Sequence, residues 1–455
     1  MPTTTVHVIP IGRLDAANPT NNIISNNGWL VDTPLNVANL EKAWCRLNHV
    51  WPILSSRLKK NARTGDLEFH VPEQSAIVAG SGFTTCTVLG PVSTHFQYPK
   101  PTETISCVSL DIPHHFYSHP SRCSADALLN KDAPVAALHV TCFDDATIVG
   151  LSVSHALVDG SGTQAIILAL LSLIKGEEVE PLSTHDAFET YQTAKNVSPP
   201  DGFRIFSLWQ LILLVLATLS DWIRSPRGGF RVLYFPAKEV ERIKLQAMAD
   251  ISAKEGLENG EWISTSDAIV AFLLKCMYAS EKRHKPLGVA YLANVRKHFA
   301  SIIPPTYLRN ANVGISIAIP DASAVATTSL GSLALIVRRS LLAQTQPAAL
   351  DHYVQWRIAN PKQMPMFMQP GGLWAAFTNW REMGFMSIDW TPAALDAGAT
   401  KKATCLYLHS FGYAPLNLRN AFVIGPDDPS GGLWALGSLS NALWKDQNGF
   451  GQYWR

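Results

Sequence analysis

One histidine of this chain stands four residues ahead of an aspartate, in His155-Ala-Leu-Val-Asp159, and Gly160 follows at once. An imidazole titrates near pH 6.5 and can take a hydroxyl proton at neutral pH. A general base of this kind needs a reachable ring nitrogen on a rigid mount. The four-letter pattern alone leaves a second reading open, a core histidine hydrogen-bonded to backbone. His115 and His119 have the i,i+4 spacing of metal ligands, with His114 and Asp111 nearby. Pro113 and Pro120 bracket them, however, so a loop without metal is the reading. No G-x-S-x-G elbow, Walker A loop or helix-opening G-x-G-x-x-G occurs, which removes serine hydrolase, NTPase and dinucleotide chemistry.

The residues around His155 predict how it is held. Ala136–Val153 gives two apolar, β-rich runs joined at Asp144-Asp145, a polar step that suits a hairpin turn. The second run delivers the chain to Ser154-His155. Glycines 160 and 162 mark a sharp turn, and Ser161 with Gln164 forms an S-x-x-Q capping box, so a helix is predicted from near Gly162. Its apolar body ends at Lys175-Gly176, where a basic residue suits the helix dipole and glycine the left-handed cap. Elsewhere Leu40–Leu58 reads as a helix interrupted by Pro52, Asp66–Val71 and Phe230–Phe235 as strands, and Ala237–Ala249 as an amphipathic helix. Ser264–Ser280 reads as a buried helix capped by Ser264 or Ser266.

At 455 residues the chain fits two sizeable domains. The pattern breaks predict residues 1–195, an apolar crossover at 196–229, and 230–455. Lys+Arg at 37 against Asp+Glu at 36 leaves a net charge of +1, with no surplus cation for nucleic acid. Charged residues are only 16%, below the roughly 25% of ordinary soluble domains, which excludes disorder and points to greasy surface or a greasy pocket. Seven scattered cysteines without a CxxC pair, and a start without a basic and apolar leader, indicate reduced thiols in the cytoplasm.

The context of His155 resembles the BAHD acyltransferases, whose members carry HxxxDG at this point. The similarity runs along most of the chain. Leu14-Asp15, Trp51–Leu58 ahead of Gly65-Asp66-Leu67, and Pro134–Gly176 are similar to the family's first half. Asn294-Val295-Arg296, Pro304-Pro305, Tyr307 and Asn310 look like its arginine-containing strand and proline-rich turn. Thr378-Asn379-Trp380 and Asp389 look like its Thr-Ser-Trp and Asp-Phe-Gly-Trp-Gly stretches. The resemblance implies an α/β fold of two chloramphenicol-acetyltransferase-like domains, mixed sheets flanked by helices, with a channel at their interface where acyl-CoA meets an acceptor.

It also implies roles. His155 would be the general base, and Asp159 would point away from the channel and pair with Arg296, with Gly160 in the turn. Thr378 and Trp380 match positions near the tetrahedral intermediate; plain core packing is the other reading of Trp380. The implied reaction moves an acyl group, by family frequency acetyl, from CoA to a hydroxyl of an apolar terpenoid, polyketide or alkaloid, without a metal and in a monomer. The chain departs from the family at Asp389-Trp390-Thr391-Pro392-Ala393, which loses both glycines of the motif. That departure motivates an alternative, a cyclase or isomerase reusing the channel. Arg309 replaces the glycine before Asn310; Arg309, Lys401 and Lys402 are candidates for the CoA phosphates, with surface charge the ordinary reading of all three.

Between Arg204 and Arg224 the segment 205–223 is almost wholly apolar, with Ser207, Gln210, Thr218 and Asp221 on one side of a helix. Three readings rank in order: a helix packed on the protein with its polar stripe outward, an interfacial helix making peripheral membrane contact, and a membrane span.

Overall fold

The apolar β runs assemble into three sheets in the computed structural model. It describes residues 6–454 apart from 18–20, 22, 78–79, 123–125, 184, 192–196, 226–227, 253–260, 397–400 and 414–418. Cys123 and the predicted boundary between residues 195 and 196 therefore lie outside the described residues. A five-stranded sheet runs in the order β13 (Cys405–Tyr413), β2 (Ile24–Val31), β8 (Thr147–Ser154), β7 (Ala136–Cys142) and β5 (Phe83–Thr87). A seven-stranded sheet runs β11 (Asn312–Ile319), β10 (Leu287–Asn294), β12 (Leu373–Asn379), β14 (Ala421–Asp427), β15 (Leu433–Ser440), β9 (Gly228–Phe235) and β6 (Ser106–Ser109). A small third sheet holds β1 (Val6–Pro10), β4 (Leu67–Pro72) and β3 (Arg57–Lys60).

The sheets are mixed, with β5–β7, β10–β12 and β12–β14 parallel among antiparallel pairs. The two halves also exchange strands. β13, from the second half, pairs with β2 at the edge of the first sheet, and β6, from the first half, pairs with β9 at the edge of the second. Helices α1 (Val37–Val50) and α2 (Gly160–Lys175) serve the five-stranded sheet; α4 (Ala237–Ser252), α5 (Thr265–Met277), α6 (Leu330–Gln344) and α7 (Pro347–Ala359) serve the seven-stranded one, and the short α8 is Asn441–Lys445. This is the α/β architecture that the sequence implied.

Local chemistry explains the elements that matter most. Every residue of β8 is buried, as fits an unbroken apolar run between two strands. The β7–β8 hairpin closes with the Phe143 amide donating to the Ala146 carbonyl at 2.9 Å. α1 stops at Trp51, and Pro52–Ser55 continues as a single 3-10 turn. At its far end α2 closes on Gly176, whose φ of 82° lies in the left-handed region. Its start differs from the predicted capping box: α2 begins at Gly160, and the cap is the Asp159 carboxylate, which accepts from the Gly162 amide at 3.1 Å. Ser161 instead accepts from Asn294 Nδ2 at 3.1 Å. The helix thus starts two residues earlier than predicted, and the Gln164 amide that a Ser161 cap would take already lies inside it.

The crossover departs furthest from prediction. It forms α3 (Leu208–Arg224), capped by a reciprocal Ser207–Gln210 box, and no residue of α3 is fully buried. Leu211 and Leu214 touch the small apolar cluster of Phe206, Met366 and Met368. Thr218 and Asp221 face the protein, where Asp221 pairs with Arg419 at 3.0 Å. Two of the four polar-stripe residues thus border the protein-side cavity while staying open to solvent, opposite to the first-ranked reading. No described helix is long and apolar enough to cross a membrane.

Candidate active site

His155 sits one residue beyond β8, where the strand ends in a turn before α2. Its backbone is held from both sides: the amide donates to the Ile23 carbonyl at 2.9 Å, and the carbonyl accepts from Asn310 Nδ2 at 2.8 Å. The residue is half-buried, and ring nitrogen Nδ1 is enclosed without a protein hydrogen-bond partner.

Asp159 is buried and fully engaged. Its carboxylate accepts from Arg296 Nη1 and Nη2 at 2.7 and 2.9 Å, from the Gly162 and Ala311 amides at 3.1 Å each, and from Asn312 Nδ2 at 3.1 Å. A carboxylate offers about four lone-pair sites. Five donors on two oxygens leave no acceptor capacity for the imidazole, so Asp159 cannot orient His155 as a triad acid does. Arg296 also donates from Nη2 to the Arg309 carbonyl at 2.8 Å, which ties segment 309–312 to the same knot.

The knot has a second carboxylate. Asp15 Oδ1 accepts from the Asn310 amide at 2.9 Å and from Asn310 Nδ2 at 2.6 Å, so one asparagine side chain links Asp15 to the His155 carbonyl. Burial raises the Asp15 carboxyl to about 7, against the lowering influence of Arg309 and the Asn310 hydrogen bonds. Sequence reasoning named Leu14-Asp15 and Asn310 only as points of resemblance. It gave no role to Asn312, for which only proximity to Asn310 was a signal.

Gly160 lies at a close approach to the flexible end of Met383. A Cβ there would lie 2.6 Å from Met383 Sδ and 3.6 Å from Trp380 Nε1. This contact brings Trp380 onto the histidine turn, with its ring against Phe385 at 5.5 Å between centroids. At Gly162 a Cβ would meet the Leu308 carbonyl at 2.3 Å, so the start of α2 packs directly on the strap leading to Asn310. Thr378 lies in β12, in register with Leu292 of β10 and Val423 of β14. Continuing across the sheet, Val423 pairs with Leu436, and Leu436 with Val232. Thr378 is therefore the one hydroxyl in an apolar row, one residue short of the strand end at Asn379, with Trp380 just beyond. Next to Thr378, Asn379 donates to Ser266 Oγ and Tyr291 OH at 3.0 and 2.9 Å.

Other predicted site residues lie elsewhere. Arg309 is buried beside Asp15, with Nη1 3.9 Å from Oδ2, so it is not a surface cation for phosphates; the carboxylate behind it draws it inward. Lys401 and Lys402 are exposed; Lys401 pairs with Asp32 at 2.7 Å. Asp389 is exposed and lies near Lys402 and Lys175, with its carboxyl held below the usual range first by the hydrogen bond from Thr391. Lys175 ends α2, ~24 Å along the helix axis from the histidine turn. Residues Thr391–Ala393 form a 3-10 turn, whose right-handed backbone needs no glycine, while Trp390 is buried against Trp29. The lost glycines are thus accommodated where they occur. His114 packs on Phe411 and His409, and among the described residues no cluster of three or more His, Cys, Asp or Glu has metal-holding geometry.

Comparison with known proteins fits this geometry. The model of the Transferase family matches residues 121–391, more than half of the chain. The chain belongs to that family, the HxxxD (BAHD) acyltransferases that its motifs resemble, and is an acyl-CoA-dependent transferase. Acetyltransferase MAT1 of Pseudozyma antarctica (strain T-34) is 24% identical over 513 residues, spanning 98% of this chain and 97% of its own. The F. sporotrichioides TRI101 structure, solved with coenzyme A and T-2, superposes with a TM-score of 0.70 over 98% of this chain and 99% of its own, at 14% identity. Vinorine synthase superposes with a TM-score of 0.62 over 97% and 92% of the two chains, at 15% identity.

Proposed function

We propose that the chain transfers an acyl group, most simply acetyl, from CoA to a hydroxyl of an apolar specialised metabolite, with His155 as general base. One observation carries the assignment: every acceptor site of Asp159 is occupied, while the imidazole beside it has a nitrogen with no protein partner. The ring is half-exposed with Nδ1 enclosed, which points to Nε2 as the nitrogen open to the acceptor. In this reading Nε2 takes the hydroxyl proton as the acceptor oxygen attacks the thioester carbonyl carbon. The C–S bond then breaks, and the same proton passes to the departing CoA sulfur. No net proton or electron is left over.

Thr378 and the Trp380 indole supply donors for the oxyanion in this proposal, near the turn where Gly160 admits Trp380. The row of Leu292, Val423, Leu436 and Val232 around Thr378 suits an apolar acceptor. Arg309 is buried against Asp15 and does not reach the CoA phosphates, whereas exposed Lys402, which shares Asp389 with Lys175, is the candidate ligand. The relatives named as acetyltransferases support acetyl as the group moved. The cyclase or isomerase alternative rested on the missing glycines, and the 3-10 turn at 391–393 removes that motive. The six cysteines among the described residues are unpaired, which suits a reducing compartment and supports a cytoplasmic placement.

The test is thiol release from acetyl-CoA with a panel of apolar alcohols. His155→Ala is expected to lower kcat by about 10²–10⁴ with an unchanged circular dichroism spectrum. Full turnover by that variant would overturn the assignment.

A further inference from the structure

Helix α3 inverts the usual order of a surface helix, which buries its apolar stripe and wets its polar one. Leu208, Trp209, Ile212, Val215, Leu216, Leu219 and Ile223 all face solvent; Leu208, Trp209 and Ile223 are 76, 66 and 80% exposed. At 3.6 residues per turn these seven fall within about 120° of arc. The opposite side holds Thr218 and Asp221 over a cavity of about 410 Å³, walled by Leu214, Trp222, Met368 and Trp374. A contiguous apolar face of this kind marks a surface made for something other than water.

Charge around the helix identifies what it meets. The two acids bordering the cavity are neutralised, Asp221 by Arg419 at 3.0 Å and Glu281 by Arg283 at 2.6 Å. Arg204 and Arg224, at the two ends of the segment, and Lys285 on the cavity wall stand in no ion pair among the described residues. Counting exposed Asp201, three residues ahead of Arg204, the side chains flanking the helix that lack an ion pair among the described residues are three cations and one acid. Trp209 stands on the outward face, 66% exposed, and an indole ring favours the level of lipid headgroups. The outward row has no charge or amide to set a register, which a specific protein partner needs and a lipid surface does not. The helix is 17 residues long, ~25 Å, and is not a span.

We propose that α3 seats the enzyme on an anionic lipid surface, lying in the headgroup plane with its seven-residue apolar face in the acyl boundary and Arg204 and Arg224, at its two ends, toward the phosphates. This inference stands apart from the acyl-transfer reading, since no residue of the His155 knot takes part.

The experiment is co-sedimentation of the full chain with phosphatidylcholine vesicles, with and without phosphatidylserine. Binding is expected to vesicles containing phosphatidylserine, to weaken without it, and to fall as salt rises. Ile212→Asp/Leu216→Asp/Leu219→Asp is expected to lower the partition coefficient by roughly tenfold or more, with thiol release on a water-soluble acceptor unchanged. If the triple variant does not fold, Leu216→Asp alone, expected to lower partition severalfold, serves instead. Protein that stays in the supernatant with every vesicle, or a folded variant that binds as well as the parent, overturns the proposal. So does a lipid-independent dimer in sedimentation velocity that the variant abolishes while the parent ignores vesicles; the face would then belong to a second copy. Failure of the acyl-transfer reading would appear separately, as absent thiol release with intact vesicle binding.

Discussion

At the His155 turn, Asp15, Asp159 and Arg309 are buried and Arg296 nearly so, all behind a closed set of hydrogen bonds, whereas along α3 seven large apolar side chains face outward and the acid turns in. Both regions place side chains against their ordinary preference, but different forces hold them there. The turn is over-determined by partners far away in sequence: Asp159 and Arg296 are separated by 137 positions and Asp15 and Asn310 by 295. α3 is held to the body through Leu211, Leu214, Asp221 and the Trp222 ring beside Arg419, so its exposed face answers to its surroundings rather than to the fold. A buried charge is tolerable only with its partners. An exposed apolar face is tolerable only with a use.

The contrast can be broken first at Asp159. Asp159→Leu strands the Arg296 guanidinium, and a loss of about 3–5 kcal/mol in urea unfolding is expected. Asp159→Leu with Arg296→Met is expected to cost clearly less than the two single changes added together, because the pair is removed whole.

Acid separates the two regions next. Burial pushes His409 down to about 3 and His139 to about 4, so both are neutral in the folded chain. Their unfolded forms bind protons below about pH 6.5, and the stability they permit is full above that pH and is lost as pH falls toward 4. The expected loss is on the order of a few kcal/mol, read as falling melting temperature, and His409→Phe should flatten it. Asp15 acts with the opposite sign. Its raised carboxyl favours the folded chain most below the unfolded value near 4, and that contribution fades as pH rises toward 7. Asp15→Asn is expected to remove the decline across that window, whereas a Leu216 variant leaves both pH profiles unchanged.

Smaller effects sharpen the comparison. Asn310→Ala frees the Asp15 carboxylate and the His155 carbonyl together, with about 1–3 kcal/mol of destabilisation expected and a lower kcat at similar KM for acetyl-CoA. Leu216→Ser, on the open face of α3, is expected to change unfolding stability by less than about 0.5 kcal/mol.

Sequence alone made the mount of the histidine legible. An apolar run reads as a buried strand, glycine and a basic residue read as a helix end, and the HxxxDG context carried the family. What stayed hidden depends on distance. The S-x-x-Q pattern at Ser161 is a sound local cap, yet the helix starts two residues earlier on Asp159, which Arg296, Ala311 and Asn312 fix from more than a hundred residues away. Arg309 looks like a surface cation until Asp15 stands behind it. For α3, periodicity defined two faces correctly but cannot say which one turns inward; the Arg419 partner of Asp221 decides that, and it lies two residues ahead of β14.

The exchange of edge strands bears on how the chain is made. β2 leaves the ribosome early, but the strand that seals its free edge, β13, arrives only after most of the protein has been synthesised. Until then the nascent first sheet offers an open row of amides and carbonyls, the kind of template on which misassembly starts. A fragment ending before residue 405 would keep His155, Asp159 and α2 yet lack that closing strand, and would lack Arg296 too if cut in the crossover. The two halves are therefore better understood as one folding unit than as parts that can be expressed, swapped or evolved separately.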